Sequence, residues 1–525
     1  MFPPTFLIGV SFPLAVRVIE GRGSSKVGKP FSFTFGWISA GNVVGVLAAS
    51  LFLIPQMGLQ KSIVALAVGN VVAGLIVAAS HPKVHYRLQT VAVAVGSLIV
   101  LWMYHPRWDP IVMTSGVYAK APIFRQLAGT DTGLKGILDL YHLKYYREGV
   151  ESVVSVVQMP TLGSRPYLAL AVDGKVDAST GRDMSTQILS GHLPFIFHPQ
   201  AKDVLVIGLA SGISVGSVAT HPVKNITCVE IEPAMEAAAR IFDPFNNRVL
   251  DDARVELVFD DGRHYLGVTE RLFDIIISEP SNPWMSGPSR LFTVEFFQLA
   301  RSRLNPGGIF VQWLPLYGLG PQHLRSLAHS FTEIFPHGSV FRASEGDLLL
   351  IGGLQPLVLS TEALEEMFRP YTVRADLKRI GINLPGDLLA YWIGASQTLR
   401  AIGSGATLNT DDNGLVEFGA PGYVLKATFS ENLSVVLRAR SEGELETWLQ
   451  LDTRRARWIR LLMDGVGASL DKGRYEFALE LAGVLEQAGE SQAGAYARGW
   501  VANRSGDIEY ARAKWHSVGQ SGPWG

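Results

Sequence analysis

Two kinds of apolar run divide this chain. Near the N-terminus the runs are long and nearly free of charge: Phe31 to Pro55, Ser62 to Ser80 and, shorter, Leu88 to Tyr104. About 20 apolar residues suffice for a helix to cross a hydrocarbon core. Small residues inside the runs (Gly41, Gly45, Ala48, Ala49; Gly69, Ala73, Gly74) let such helices approach closely. Past Tyr141 the runs shorten to strand length. Ser152 to Val157 and Tyr167 to Val172, the latter closed by Asp173-Gly174, predict a β-meander. Gln187 to His192 predicts a helix leading to Leu193-Pro194. Val204–Ile207 is an unbroken apolar run, the pattern of a parallel strand buried on both faces, and Ile226–Val229, Val255–Phe259 and Phe273–Ser278 are read as further, largely apolar strands of the same sheet. Leu304 to Gly308 predicts a turn before a strand at Ile309–Val311, and Leu415 to Phe418 a short strand after the polar loop Thr407 to Asn413.

The pattern becomes helical from about Ser434. Gly473-Arg474-Tyr475-Glu476-Phe477-Ala478 recurs as Gly506-Asp507-Ile508-Glu509-Tyr510-Ala511, about 33 residues on. A repeat pair of tetratricopeptide type and an unrelated helical cap both fit. The expected domains are therefore transmembrane helices over 1–104, a linker over 105–140, the meander and connecting helix over 141–200, a Rossmann-like domain over 201–430 and a helical tail over 431–525. Met1 to Val16 reads as the tail of a further span, so the chain is expected to begin inside a larger membrane domain.

Composition narrows the function. A net charge of -1 gives no basic field for nucleic acid, and a mean hydropathy of +0.20 reflects the N-terminal runs. Cys228 stands alone, which excludes an internal disulfide framework and a Cys-rich zinc site. His192, His198 and His264 lack ligand spacing, so no metal is expected. Arg17, Arg22, Lys26 and Lys29 favour a cytoplasmic loop. Three further crossings would then put the rest of the chain outside, whereas an adenosyl ligand would put it in the cytoplasm. The two agree if Leu88 to Tyr104 does not cross, and the cytoplasmic side is favoured.

The candidate chemistry lies at the strand ends. Val204–Ile207 runs into Gly208-Leu209-Ala210-Ser211-Gly212, a tight turn into a helix. Glu230 ends the next strand about 20 residues later, where an acid can take ribose hydroxyls. Asp260-Asp261-Gly262 ends the third, Asp260 also fitting a helix cap. Glu279-Pro280-Ser281-Asn282-Pro283 ends the fourth, with Glu279 a catalytic carboxylate or a structural acceptor. Asp411 and Asp412 read as solvated turn acids that also fit attraction of a cationic polyamine, and Trp284 and Trp313 as packing residues that also fit pocket walls.

These motifs, in this order, resemble the spermidine synthase family of polyamine aminopropyltransferases, in particular its membrane-fused bacterial branch. The likeness spans about Tyr141 to Pro421 and includes Val172-Asp173-Gly174, Gln187…His192-Leu193-Pro194, Val229-Glu230-Ile231-Glu232, Asp261-Gly262 and Leu291-Phe292-Thr293. It implies a Rossmann-like, class I methyltransferase-type sheet and a ligand such as decarboxylated S-adenosylmethionine. In that likeness Glu230 holds the ribose, Asp261 the adenine amino group, Gly208, Gly212 and Gly262 the close approach, and Gln187 lies near the reacting chain. The family's Asp-x-x-Asp-Pro loop, whose second Asp deprotonates the amine, reads here with Glu279 first and Asn282 second. Thr186 stands where a substrate-contacting Tyr is usual. Ala210 replaces a turn glycine, which requires negative φ. Asn282 cannot take a proton, so Glu279 is the remaining candidate base. The function implied is aminopropyl transfer to a small amine or polyamine by a protein of the lipid bilayer, in the family's manner a homodimer. Methyl transfer from S-adenosylmethionine and a non-catalytic polyamine-sensing or transport-linked module are the alternatives.

Overall fold

The computed structural model describes residues 2–20, 28–79, 84–104, 108–116, 136, 138–160, 167–441, 443–450 and 455–518. Arg22, Lys26, most of the expected linker and the last residues of the tail lie outside that set. The chain forms two compact units, Met1–Asp109 with Arg147–Val153, and Pro110–Tyr146 with Val154–Gly525.

In the first unit, helices run over Phe2–Glu20, Gly28–Ala48, Leu59–Ala79 and Val84–Tyr104. Among the described residues, three continuous helical stretches, Phe31–Met57, Leu59–Ala79 and Val84–Met103, are by length and composition apolar enough to cross a membrane. The weakest run gains length because His85, Tyr86 and Arg87 join its first turn, giving 21 helical residues. Its apolar side chains face outward; Trp102 is 82% exposed. Helices that leave such faces uncovered are suited to lipid.

Next along the chain is a four-stranded sheet, β1 His142–Glu148, β2 Val153–Met159, β3 Tyr167–Val172 and β4 Lys175–Ser179, in the order β1-β2-β3-β4. Asp173 (φ 49°) and Gly174 (φ 79°) make the tight β3–β4 turn, the geometry that Asp-Gly favours.

The main sheet follows: β5 Asp203–Ile207, β6 Asn225–Glu230, β7 Val255–Phe259, β8 Phe273–Ser278, β9 Leu304–Pro315, β10 His337–Arg342 and β11 Asp347–Gly353. After β12 Leu359–Ser360 comes β13 Trp392–Ala395, and the order is β13-β10-β11-β9-β8-β5-β6-β7. β5 to β9 pair in parallel; β11, β10 and β13 are antiparallel. This is the expected Rossmann-like, methyltransferase-type sheet. Alternation along each strand fills two cores. Val204, Val206, Ile275, Ile277, Ile309, Val311, Leu349 and Ile351 face one; Leu205, Ile207, Ile276, Phe310, Leu348 and Leu350 face the other.

Two local expectations are corrected. Leu304 to Gly308 is a bulge inside β9, because Leu304 still pairs with Phe273 while Ile309 pairs with Ile275, and Gly307 takes up the excess chain at φ 80°. Leu415 to Phe418 belongs to a helix, Leu415–Gly419. Asn409 Oδ1 accepts the Val416 N–H at 3.1 Å, and so short an apolar run carries no period that tells strand from helix.

The helical tail joins the same compact unit. Helix Phe429–Arg438 crosses the division expected at residue 431, and its Asn432 donates to the carbonyls of Leu316 (3.0 Å) and Leu319 (2.9 Å). A short strand, β14 Leu449–Gln450, pairs with β12. Helices Arg455–Asp471, Tyr475–Gln487, Ser491–Ser505 and Ile508–Val518 follow, and Phe477 and Leu481 share a core with Trp392 and Leu389. The repeated glycines Gly473 (φ 69°) and Gly506 (φ 93°) both occupy left-handed positions just after a helix.

Candidate active site

The chain moves outward from β5 through β6 to β7, then returns to β8 on the other side of β5. Strand order reverses there, and ligand crevices in such sheets open at the carboxyl ends beside that point. Gly208 ends β5 at φ 99°, and a Cβ on it would lie 2.6 Å from the Glu279 carbonyl oxygen. Only glycine lets the β5 and β8 ends close to this distance. The ends are also bonded directly, Glu279 N–H donating to Ile207 O at 3.0 Å.

Glu230 is 6% exposed. Its Oε2 accepts the Leu209 N–H and its Oε1 the Glu232 N–H, both at 2.9 Å. Burial raises its carboxyl, against the lowering pull of the Glu232, Leu209 and Ala210 N–H groups. The carboxylate thus pins the turn from outside. That explains a departure from expectation: Ala210 has φ 43°, not a negative value. A non-glycine residue in this region costs about 1–2 kcal/mol.

Gly212 (φ 74°) precedes helix Ile213–Ala219. Ser211 hydrogen-bonds the Gln187 Oε1, and the Gln187 amide nitrogen donates to the carbonyls of Ser179 and Asp183, each at 3.0 Å. Gln187 therefore ties helix Met184–His192 to the turn. Asp261, not Asp260, caps a helix: its Oδ1 accepts the His264 N–H at 2.8 Å, while Asp260 bonds the His264 ring at 2.9 Å. Asp261 is exposed, and Gly262 is buried because a Cβ there would meet Ile207 at 2.4 Å. Asp411 is ion-paired with Arg263 and accepts from Thr293 at 2.8 Å, a structural use.

Glu279 lies at the centre. Burial pushes its carboxyl up to about 7, against a lowering influence of the Ser190 and Ser214 hydroxyls. Asn282 is fully buried, and neither atom of its amide has a hydrogen-bond partner. An unpaired buried polar group costs about 1–3 kcal/mol, so among the described residues this amide is an energetic exception. Next to it Ser281 donates to Asp177 at 3.1 Å, and Asp177 pairs with Lys175 at 2.6 Å.

Sequence reasoning missed a second acid. Asp347 begins β11, 8% exposed, and its Oδ2 accepts the Thr186 hydroxyl at 2.8 Å and the Ser344 hydroxyl at 2.6 Å. Alternation puts Asp347 on the face of Leu349 and Ile351, and Glu279 on the face of Ile275 and Ile277, which is the same face. Asp347 contributes to the upward shift of Glu279 and, after burial, to that of Tyr317; Asp183 is raised chiefly by burial and also feels Asp347. Tyr317 meets Trp284 edge to face at 6.0 Å. The one available signal was an acid opening an otherwise apolar strand.

This sheet, with an acidic strand end beside a glycine turn, defines a Rossmann-like fold of methyltransferase type. Residues 185–336 match the spermine/spermidine synthase domain. The polyamine aminopropyltransferase of Escherichia fergusonii is 38% identical over 144 residues, 27% of this chain and 50% of that protein. That of Shigella flexneri serotype 5b is 34% identical over 171 residues, 31% of this chain and 59% of that protein. The chain thus spans about half the length of the curated relatives it matches. A solved spermidine synthase in complex with the transition state analogue AdoDATO aligns at 21% identity and a TM-score of 0.38, covering 46% of this chain and 85% of that one.

Proposed function

We propose that this chain is a membrane-anchored transferase that moves an aminopropyl group from decarboxylated S-adenosylmethionine to an amine such as putrescine. The observation that carries the reading is Glu279, a carboxyl at the sheet's switch point raised to about 7. A base of that strength is matched to accepting a proton near neutrality. On this reading Gly208 and Gly212 give the donor close backbone approach, Glu230 and Asp261 hold its nucleoside, and Asn282 offers its unpaired amide to the reacting groups.

In the reaction the neutral amine nitrogen forms a bond to the aminopropyl carbon next to sulfur. The C–S bond breaks, its electron pair stays on sulfur as a neutral thioether, and the proton lost by nitrogen passes to Glu279. Proximity and fixed charge supply much of the acceleration. The three apolar helices support anchoring in a bilayer, and an adenosyl donor favours the cytoplasmic side for this unit.

The test supplies the full-length protein in detergent with putrescine and decarboxylated S-adenosylmethionine, and measures spermidine and methylthioadenosine by mass spectrometry. Spermidine that disappears in Glu279→Gln supports the reading. Absence of product despite donor binding removes it. S-adenosylmethionine run in parallel detects methyl transfer, and amine binding without turnover would indicate a sensor.

A further inference from the structure

One of the two departures noted in the sequence, Thr186, touches a buried acid. Asn282 lacks the carboxylate that the resemblance places there, and Thr186 lacks the phenol. Thr186, on helix Met184–His192, gives its hydroxyl to Asp347. The same helix ties Gln187 to the glycine turn, while its Ser190 hydroxyl is used within the helix on the Thr186 carbonyl at 2.9 Å. One helix therefore links the turn beside Glu279 to Asp347 on the same sheet face. We propose that Asp347 is the carboxylate that anchors the cationic end of the acceptor amine, replacing the charge absent at Asn282 from a different strand. This rests on the amine-transfer reading above.

The chemistry is specific. Both hydroxyl bonds to Asp347 fall on Oδ2, which leaves Oδ1 free of hydrogen bonds among the described residues. Thr186 and Ser344 fix the carboxylate plane, so an ammonium meets a preset acceptor; charge-assisted bonds of this kind are the strong ones. The surroundings also suit a cation: Glu279 and Asp183 both feel the Asp347 charge, Lys175 is paired with Asp177, and the buried amide of Asn282 brings no charge of its own. A shorter Thr186 is required by the arrangement, since its hydroxyl has to reach the carboxylate itself. Asp347 is thus an anchor for substrate, and Glu279 remains the proton acceptor.

The experiment is calorimetric titration of putrescine into the full-length protein in detergent, saturated with methylthioadenosine, for the natural chain and Asp347→Asn. The variant keeps the shape and one acceptor but removes the charge. Its putrescine Kd is expected to rise at least tenfold while its methylthioadenosine Kd stays within twofold. A putrescine Kd within twofold of the natural chain overturns the proposal. If Asp347→Asn does not fold, Thr186→Val decides: it keeps the charge but frees the carboxylate, and putrescine affinity is expected to fall at least threefold, an unchanged value overturning the anchor. A natural chain that binds methylthioadenosine but no putrescine also overturns it and leaves the nucleoside assignment standing. A natural chain that binds putrescine yet makes no spermidine removes the transferase reading, and the anchor is then judged by Asp347→Asn alone.

Discussion

His192 Nε2 meets Asp376 Oδ2 at 3.0 Å, and both side chains are buried. The same oxygen accepts the Ser217 hydroxyl at 2.6 Å, while Arg379 bonds Oδ1 at 2.5 Å. His192 Nδ1 faces His221 Nε2 at 2.8 Å, and the His221 ring stacks on Phe195 at 3.7 Å. This chain locks the end of the helix that carries Thr186, Gln187 and Ser190. The helix that carries these side chains is therefore held by a buried polar network at its other end.

Asp376→Ala is expected to be among the most damaging substitutions. It strips partners from His192, Ser217 and Arg379 at once, and breaking a buried charged network costs about 3–5 kcal/mol. Urea unfolding of the full-length protein, followed by tryptophan fluorescence, reads the loss. A shift under 1 kcal/mol, on the order of an exposed ion pair, would contradict the role given to this network.

The same network sets an acid response. Burial, with the neighbouring His192 adding to it, holds His221 well below its ordinary value. The folded state thus refuses a proton that the unfolded chain accepts, so stability is complete above about 6.5 and declines as pH falls below it. Asp376 is lowered to about 2 by its hydrogen bond to His192 and that residue's charge, after opposing burial. Its contribution holds until about 3.9, the unfolded carboxyl value, and is lost below that. Because Glu279 acts with the opposite sign over the same range, the His221 share is read by difference, from urea midpoints at pH 7 and 5 in the Glu279→Gln background, where the midpoint should fall on acidification. His221→Gln should flatten that slope.

Glu279 predicts a pH profile of opposite sense for activity and stability. As a base it works when ionised, so kcat should drop about tenfold per pH unit below about 7 and level off above it. Because its folded value is raised, ionising it costs stability as pH climbs from the ordinary carboxyl range to about 7. Glu279→Gln should lower kcat by about 10²–10⁴ and remove that stability slope. Full activity in this variant would remove Glu279 from the mechanism.

Two turn positions should respond in opposite directions. Ala210→Gly relieves a left-handed alanine and is expected to stabilise by about 1 kcal/mol, net of glycine's extra unfolded-state freedom. Gly208→Ala adds a Cβ 2.6 Å from the Glu279 carbonyl at φ 99°, so it should destabilise and displace the Glu279 loop. Denaturation midpoints check both, and loss of methylthioadenosine binding checks the second.

The sequence by itself determined the parallel strands, the apolar helices and the register of Gly208, Glu230 and Glu279. Each depends on a local signal: an unbroken apolar run, a small-residue turn or an acid at a strand end. Helix against strand at Leu415 and turn against bulge at Leu304 needed the tertiary structure, because such short runs carry no period and their backbone partners are distant in sequence. The φ of Ala210 was decided by Glu230, a residue on another strand. Asp347 was invisible for the same reason. Its meaning comes from Thr186, which lies 161 residues away, and from sharing a sheet face with Glu279. Local pattern fixes which residues are buried and in what element; only the packed sheet brings distant acids to one crevice, where burial makes their charges matter.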